Sequence, residues 1–464
     1  MKSLNVFLCL AAVNLMSVTR SVDAHNLEPL RVADNGRMLV AESGRPFIWV
    51  ADTAWALHQN VSRKDVRFYL DDAKAQGFTV VQLFSANRWA LDDYRNFYGE
   101  TPYIDEDPAR INPDYWSHTR WVIEEAGKRG LYIYLVYGSP GRKDEGMPYA
   151  KTPQQAYDYG FGVGSALKGL PNLLWAGGMD NDPTDTGKLA PMGFEGWHAM
   201  AEGINDGVAG ARAYDVKSDY SRTLMTYHVN GQNVSMPYFH DAPWLDFNMG
   251  QLGLQQGSGD DTVLVSRTFE CYRKTPTKPF YSLEPWYENN TWRKTPVNDH
   301  EVRIQAYQSL MAGAAGIAYG NKNLWAMSRP RASDRDAWKK ALGDPGRSQM
   351  KYVRTFLERY PHNKVPDFDH QLVIASDNDC HKRLKLKARI GAAHTEDRTK
   401  AFVYSPQGHS FVVNMDFLVG DKTVAAWYDT RSGTMRPADA TAAGMSKMIP
   451  PSAGTDWLLI VERD

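Results

Sequence analysis

Between Pro46 and Gly320, eight short and nearly unbroken apolar runs alternate with stretches of helical periodicity, and few folds accommodate that pattern. The runs are Pro46–Thr53, Phe78–Ala86, Leu131–Gly138, Asn172–Gly177, Thr223–Asn230, Trp244–Gln251, Lys278–Glu284 and Gly316–Gly320. Runs that are apolar at both odd and even positions suit strands covered on both faces, as in a parallel sheet lined by helices. The intervening stretches carry helix signals. Ser62–Gln76 opens on a serine N-cap and stops before Gly77, and Pro113–Arg129 stops at Gly130. Asp299–Ala312 places Val302, Ile304, Tyr307, Leu310 and Met311 at helical spacing. Eight strand–helix repeats in about 280 residues predict a closed (β/α)8 TIM barrel, which typically takes ~250.

The flanks read differently. Two short apolar runs around Asp34-Asn35-Gly36 predict a hairpin before the barrel. Asp336–Tyr360 reads as helical. From Pro366 onward short alternating runs separated by turn residues predict a small all-β sandwich. At the other end, Lys2, the apolar run Leu4–Met16 and the small residue Ala24 form a secretory-signal pattern. The expected organisation is a signal at 1–24, a barrel with its hairpin at 25–365 and a β-sandwich at 366–464. Such a chain is expected to be secreted or periplasmic. The apolar run is shorter than the ~20 residues that span a bilayer, so no membrane insertion is expected. Cys9 would leave with the signal, and Cys271 and Cys380 fall in different expected domains, which favours two buried free thiols.

Lysine plus arginine number 53 against 54 for aspartate plus glutamate, with no block of either sign. That balance favours neither nucleic acid nor an anionic membrane as partner. There is no H-E-x-x-H, the histidines are scattered and no glycine-rich phosphate loop is present, so neither a metal nor another cofactor is expected. Fourteen tryptophans and 24 tyrosines suit carbohydrate stacking or a heavily packed core.

Working residues of such a barrel project from the C-terminal ends of its strands. Those positions give Asp52 and Trp55 after the first strand, Asn87 and Trp89 after the second, and Tyr137 after the third. Asp180 follows the fourth, His228 ends the fifth, and Asp246 and Gln251 lie on the sixth. Glu284, Trp286 and Tyr287 close the seventh, and Tyr319 and Trp325 follow the eighth. Glu284 stands directly before Pro285, which ends ladder pairing and leaves the carboxylate at the strand's mouth. Asp180 closes the glycine turn Trp175–Asp180. Hydrolysis of a glycosidic bond needs two carboxyls, one protonated and one ionised, and strands four and seven face each other across a barrel. Asp180 and Glu284 are the expected catalytic pair, and the remainder are expected to contact a polysaccharide or oligosaccharide. A salt-bridged strand corner competes as the reading of Glu284, a helix N-cap or turn residue as that of Asp180, helix capping as that of Asp52 and a structural histidine as that of His228.

The chain resembles the apiosidase-like glycoside hydrolases, which join a (β/α)8 barrel to a C-terminal sandwich of collagen-binding type. Gly44–Trp55, Asn172–Asp180, Trp244–Gln251, Lys278–Glu288 and Gln305–Gly320 carry the resemblance in the barrel. Ala401–Pro406, Ala425–Gly433 and Ile449–Val461 carry it in the sandwich. The resemblance implies Asp180 as acid/base and Glu284 as nucleophile. The chain departs from the family where Met179 interrupts a Gly-Gly-Asp turn and where Gln251-Leu252-Gly253-Leu254 replaces Gln-Ser-Gly-His. A secreted, metal-independent, retaining and exo-acting glycosidase is expected, apiosidase-like or a related furanosidase or pyranosidase. A non-catalytic carbohydrate- or matrix-binding protein is the alternative. A lyase is disfavoured, because no arginine or metal cluster is visible to neutralise a uronate.

Overall fold

The computed structural model describes residues 27–464 except 87–93, 139–148, 185–191, 216, 254–261, 292–294 and 328–335. The predicted signal segment, Asn87, Trp89 and Leu254 lie outside the described residues. Eight parallel strands form the barrel: β1 (Trp49–Thr53), β2 (Val80–Phe84), β3 (Tyr132–Val136), β4 (Leu173–Asn181), β5 (Met225–Val229), β6 (Asn248–Gln251), β7 (Phe280–Glu284) and β8 (Gly316–Tyr319). Hydrogen-bonded ladders run in the order β6-β7-β8-β1-β2-β3-β4-β5. The β5–β6 seam is closed without a ladder. The Asp246 N–H donates to Met225 O at 2.9 Å, and the Thr226 hydroxyl donates to Phe247 O at 2.6 Å. The predicted sixth strand begins late for this reason: residues 244–247 form the seam, and the strand starts at Asn248.

The interior is filled in layers. Trp49, Tyr134, Phe247 and Tyr281 pack ring against ring, with Trp49 and Tyr281 centroids 4.6 Å apart. The hairpin Leu30–Val32/Leu39–Ala41 caps this layer from below, since the Leu39 N–H donates to the Tyr281 hydroxyl at 3.0 Å. Another polar bridge is Gln82, whose Nε2 donates to Thr53 Oγ1 and to Leu283 O. A barrel filled in this way is a packed core, and its chemistry is confined to the C-terminal rim.

The stretch predicted as one helix over Asp336–Tyr360 is two, Ala337–Ala341 and Pro345–Arg359. Pro345 supplies the break, because it cannot continue a helix but suits a first turn. The C-terminal part pairs antiparallel strands in a six-stranded and a three-stranded sheet. Its own buried cluster includes Phe411, Trp427 and Trp457. A second set, with Phe402, Tyr404, Tyr428 and Ile460, is continuous with the barrel core. Cys271 and Cys380 are both free and buried.

Candidate active site

Both candidate carboxylates sit where a strand departs from its register. Along β4, Gly178 pairs with His228 and Asn181 with Val229, so Met179 and Asp180 fall out of the ladder. Gly178 has φ +80°, and a Cβ there would meet His228 O at 2.1 Å. Asp180 itself has φ +50°. The residue that interrupts the Gly-Gly-Asp turn is absorbed in this bulge. Along β7, Gly250 opposes Ser282 and Gln251 opposes Glu284, which leaves Leu283 as the extra residue. Alternation alone would turn Glu284 outward, since Tyr281 faces the barrel interior. The extra residue re-aims it, a recurrent use of bulges beside sites.

The two carboxylates and one imidazole converge. Ligand-capable atoms of Asp180, His228 and Glu284 all lie within 4.8 Å of one another. Glu284 Oε2 is 2.8 Å from His228 Nε2, and Glu284 Oε1 accepts the Tyr287 O–H at 3.1 Å. Trp55 Nε1–H donates to the same Tyr287 oxygen at 2.8 Å, and its ring meets His228 edge-on. Burial, with the charge of Glu284 next, pushes the Tyr287 hydroxyl well above its ordinary range. It therefore stays a neutral donor. Tyr134 is pushed up by the same two causes and lies 3.3 Å from His228 Nδ1. With Tyr134 donating to Nδ1, the Nε2–H faces Glu284. Asp180 Oδ1 accepts the Gln251 amide at 2.7 Å. The Asp180 residue is half-buried, and the Glu284 side chain keeps 16% of its surface open.

The expected site residues divide into three groups. Asp180, Glu284, Gln251, His228, Tyr287 and Trp55 come together. Within this group His228, Tyr287 and Trp55 are buried; His228 and Tyr287 contact Glu284 directly, and Trp55 reaches it through Tyr287. A second group is held by other contacts. Asp52 is fully buried and faces the helices, where its Oδ2 accepts from Tyr69 and from both Nε and Nη2 of Arg347. The Tyr319 hydroxyl donates to buried Glu288 at 2.5 Å, also outside the barrel interior. Tyr137 is buried against Trp175, and Trp286 is a core residue. Asp246 is at the opposite end of the barrel, accepting the Met225 N–H at 2.7 Å. Trp325 is half-buried, packs on the barrel core and receives the Ala56 N–H on its carbonyl. Asn87 and Trp89 form the third group, outside the described residues.

Tyr134 was not among the expected residues. Its strand is apolar at both parities, so nothing in the sequence marks which tyrosine faces inward. The three converging groups would also suit one cation, the only such set among the described residues, although the sequence shows no metal-binding pattern. His228 Nε2 is already engaged with Glu284.

Comparison with known proteins places the chain in a family. Residues 33–364 match the family model "Apiosidase-like, catalytic domain". Residues 365–462 match "Putative collagen-binding domain of a collagenase". No curated protein matches the chain. One solved structure, described as a glycoside hydrolase, is similar at 28% identity and TM-score 0.79, covering 94% of this chain and 97% of that one. A glycoside hydrolase family 5 protein from Bacteroides vulgatus is similar at 28% identity and TM-score 0.80, covering 94% and 93%. Eight parallel strands, a carboxylate pair at the rim and a family model spanning the barrel lead to one assignment: the chain belongs to the apiosidase-like glycoside hydrolases.

Proposed function

We propose that the protein is an exported, retaining glycosidase that removes sugars from the ends of polysaccharide side chains. The proximity of the two carboxylates carries the stereochemical reading. Atoms of Asp180 and Glu284 within 4.8 Å suit the ~5–5.5 Å carboxyl spacing of a retaining pair better than the ~6.5–9.5 Å of an inverting pair. The wider spacing makes room for a water between carboxylate and sugar, and the shorter one brings the carboxylate to the anomeric carbon directly.

In this reading Glu284 is the nucleophile. A donor on each of its oxygens fixes its aim. Its attack displaces the glycosidic oxygen, to which Asp180 delivers a proton. The same Asp180 then takes a proton from the water that cleaves the glycosyl ester, which restores both carboxyls. The Gln251 amide, donating to Asp180 Oδ1 at 2.7 Å, fixes the orientation of that carboxyl. The family likeness supports apiose or a related furanose or pyranose as the released sugar, and the apolar signal-like run Leu4–Met16 supports export.

Proton NMR of the first product released from a pectic side-chain oligosaccharide tests the stereochemistry. The expected product has the anomeric configuration of the substrate. An inverted first product would overturn retention and leave hydrolysis standing.

A further inference from the structure

The turn that follows Glu284 is held at its start by Leu252 and Gly253, whose N–H groups donate to Glu284 O, and at its end by the Glu288 N–H on Gly320 O. Pro285 has no N–H. The next donor, the buried Trp286 N–H, is taken by Gln305 Oε1 at 2.7 Å. Gln305 is 1% exposed, and its Nε2 finds no partner among the described residues. The polar role of this side chain is therefore concentrated in one oxygen. That oxygen meets the backbone two residues beyond the carboxylate and next to Tyr287, the residue that donates to Glu284 Oε1.

Gln305 belongs to the helix Asp299–Met311, which is buried on every side from Glu301 onward. Such a helix must be covered by two partners. One is the barrel; the other is the sandwich. Gln308 donates to Leu386 O at 3.0 Å and Arg389 O at 2.6 Å, and Arg389 Nη1 donates back to it at 2.9 Å. Arg303 is bidentate on Asp456 at 3.0 and 2.8 Å, and the rings of Tyr307 and Tyr404 stack 5.1 Å apart. The sandwich grips the helix directly before and after Gln305.

We propose that Gln305 is a positioning residue for Glu284, and that the sandwich, by clamping the helix that carries it, is a brace of the active site. This rests on the reading of Glu284 as the nucleophile. The assignment gives the C-terminal part a role in turnover that needs no ligand of its own. Without the Gln305 oxygen the buried Trp286 N–H loses this acceptor, which shifts the turn and takes Tyr287 and Glu284 out of line with His228. Misplacement of a reacting group by ~1 Å can cost 10²-fold in rate.

The test uses the full chain and a 4-nitrophenyl glycoside that the wild type hydrolyses, with variants Gln305→Leu and Gln305→Glu. A buried, protonated Glu keeps the accepting oxygen in place, whereas Leu fills the space and offers none. Gln305→Leu is expected to lose at least about tenfold in kcat with KM within about threefold, and Gln305→Glu to stay within about threefold of wild type in both. Hydrogen exchange over residues 280–288, which needs no substrate, is expected to rise in the Leu variant alone. A Leu variant with wild-type kcat and exchange, a Glu variant as impaired as Leu, or a loss confined to KM would overturn the proposal. A wild type inactive on every glycoside would overturn the glycosidase reading instead, and the exchange experiment would still decide whether Gln305 fixes the turn.

Discussion

Each oxygen of Glu284 meets its own hydrogen-bond partner, and both partners are themselves held. Trp55 fixes the Tyr287 oxygen, and Tyr134 fixes the imidazole of His228. Tyr287→Phe removes one donor while keeping the ring, so kcat should fall by about 10- to 100-fold with little change in KM, as measured by steady-state kinetics. Unchanged kcat would show that the phenol is only packing. In the proposed mechanism Asp180 carries a different burden, because its proton matters in proportion to how poor the leaving group is. Asp180→Ala should lose far less activity on a nitrophenyl glycoside than on a natural glycan, since nitrophenolate departs almost unaided. Azide should restore part of the nitrophenyl rate by attacking a glycosyl-enzyme that lacks its base. Equal losses on both substrates would contradict the role given to Asp180.

At the scale of elements, the alternation of runs was enough to read the eight strands and their order, because parallel strands buried on both faces leave a strong apolar signature. That same signature hides side-chain direction. Tyr137 was expected at the rim and Tyr134 was missed, since both lie in one apolar run and only the fold decides parity. Asp52 and Tyr319 failed for the same reason: a strand-end position says how high a residue stands, but not which way it faces. Glu284 and Asp180 were legible through Pro285 and the glycine turn, although neither signal reveals that each sits at a register shift. The β4 bulge depends on Gly178, where a Cβ would collide with His228 O and φ is +80°. Gly178→Ala should cost more than ~1 kcal/mol in chemical denaturation and disturb Asp180 as well. A variant with wild-type stability and activity would show that the strand end is looser than described.

At the scale of the whole molecule, two features tie distant parts together. The barrel and sandwich share one continuous buried cluster, and Arg303 and Asp456 form an ion pair with both side chains almost wholly buried. Asp456→Ala removes the bidentate partner of Arg303 and leaves it only Asp299 and Gln349, so the unfolding free energy should fall by ~3 kcal/mol, with barrel and sandwich still unfolding in one transition. Two separate transitions in the wild type would contradict the shared core. The barrel seam is tied by Asp246, whose carboxyl is raised by burial to about 7, against the opposing effects of the Met225 N–H and Lys278. A raised folded value means that the folded state holds a proton the unfolded chain releases near pH ~4. That contribution is fully present below pH ~4 and is lost as pH rises through about 7. Asp246→Asn keeps an acceptor for Met225 but cannot ionise, so its stability relative to wild type should increase from pH 4 to pH 8. A constant difference across that range would remove Asp246 from the pH dependence. The barrel brings Asp180 and Glu284, from strands four and seven, within 4.8 Å of one another, and the proposed function sets both on one bond. Trapping the glycosyl-enzyme tests this most directly. An activated 2-deoxy-2-fluoro analogue of the released sugar should inactivate the protein, and peptide mass spectrometry should place the added sugar on Glu284. A label on any other residue, or turnover by Glu284→Ala, would contradict the account.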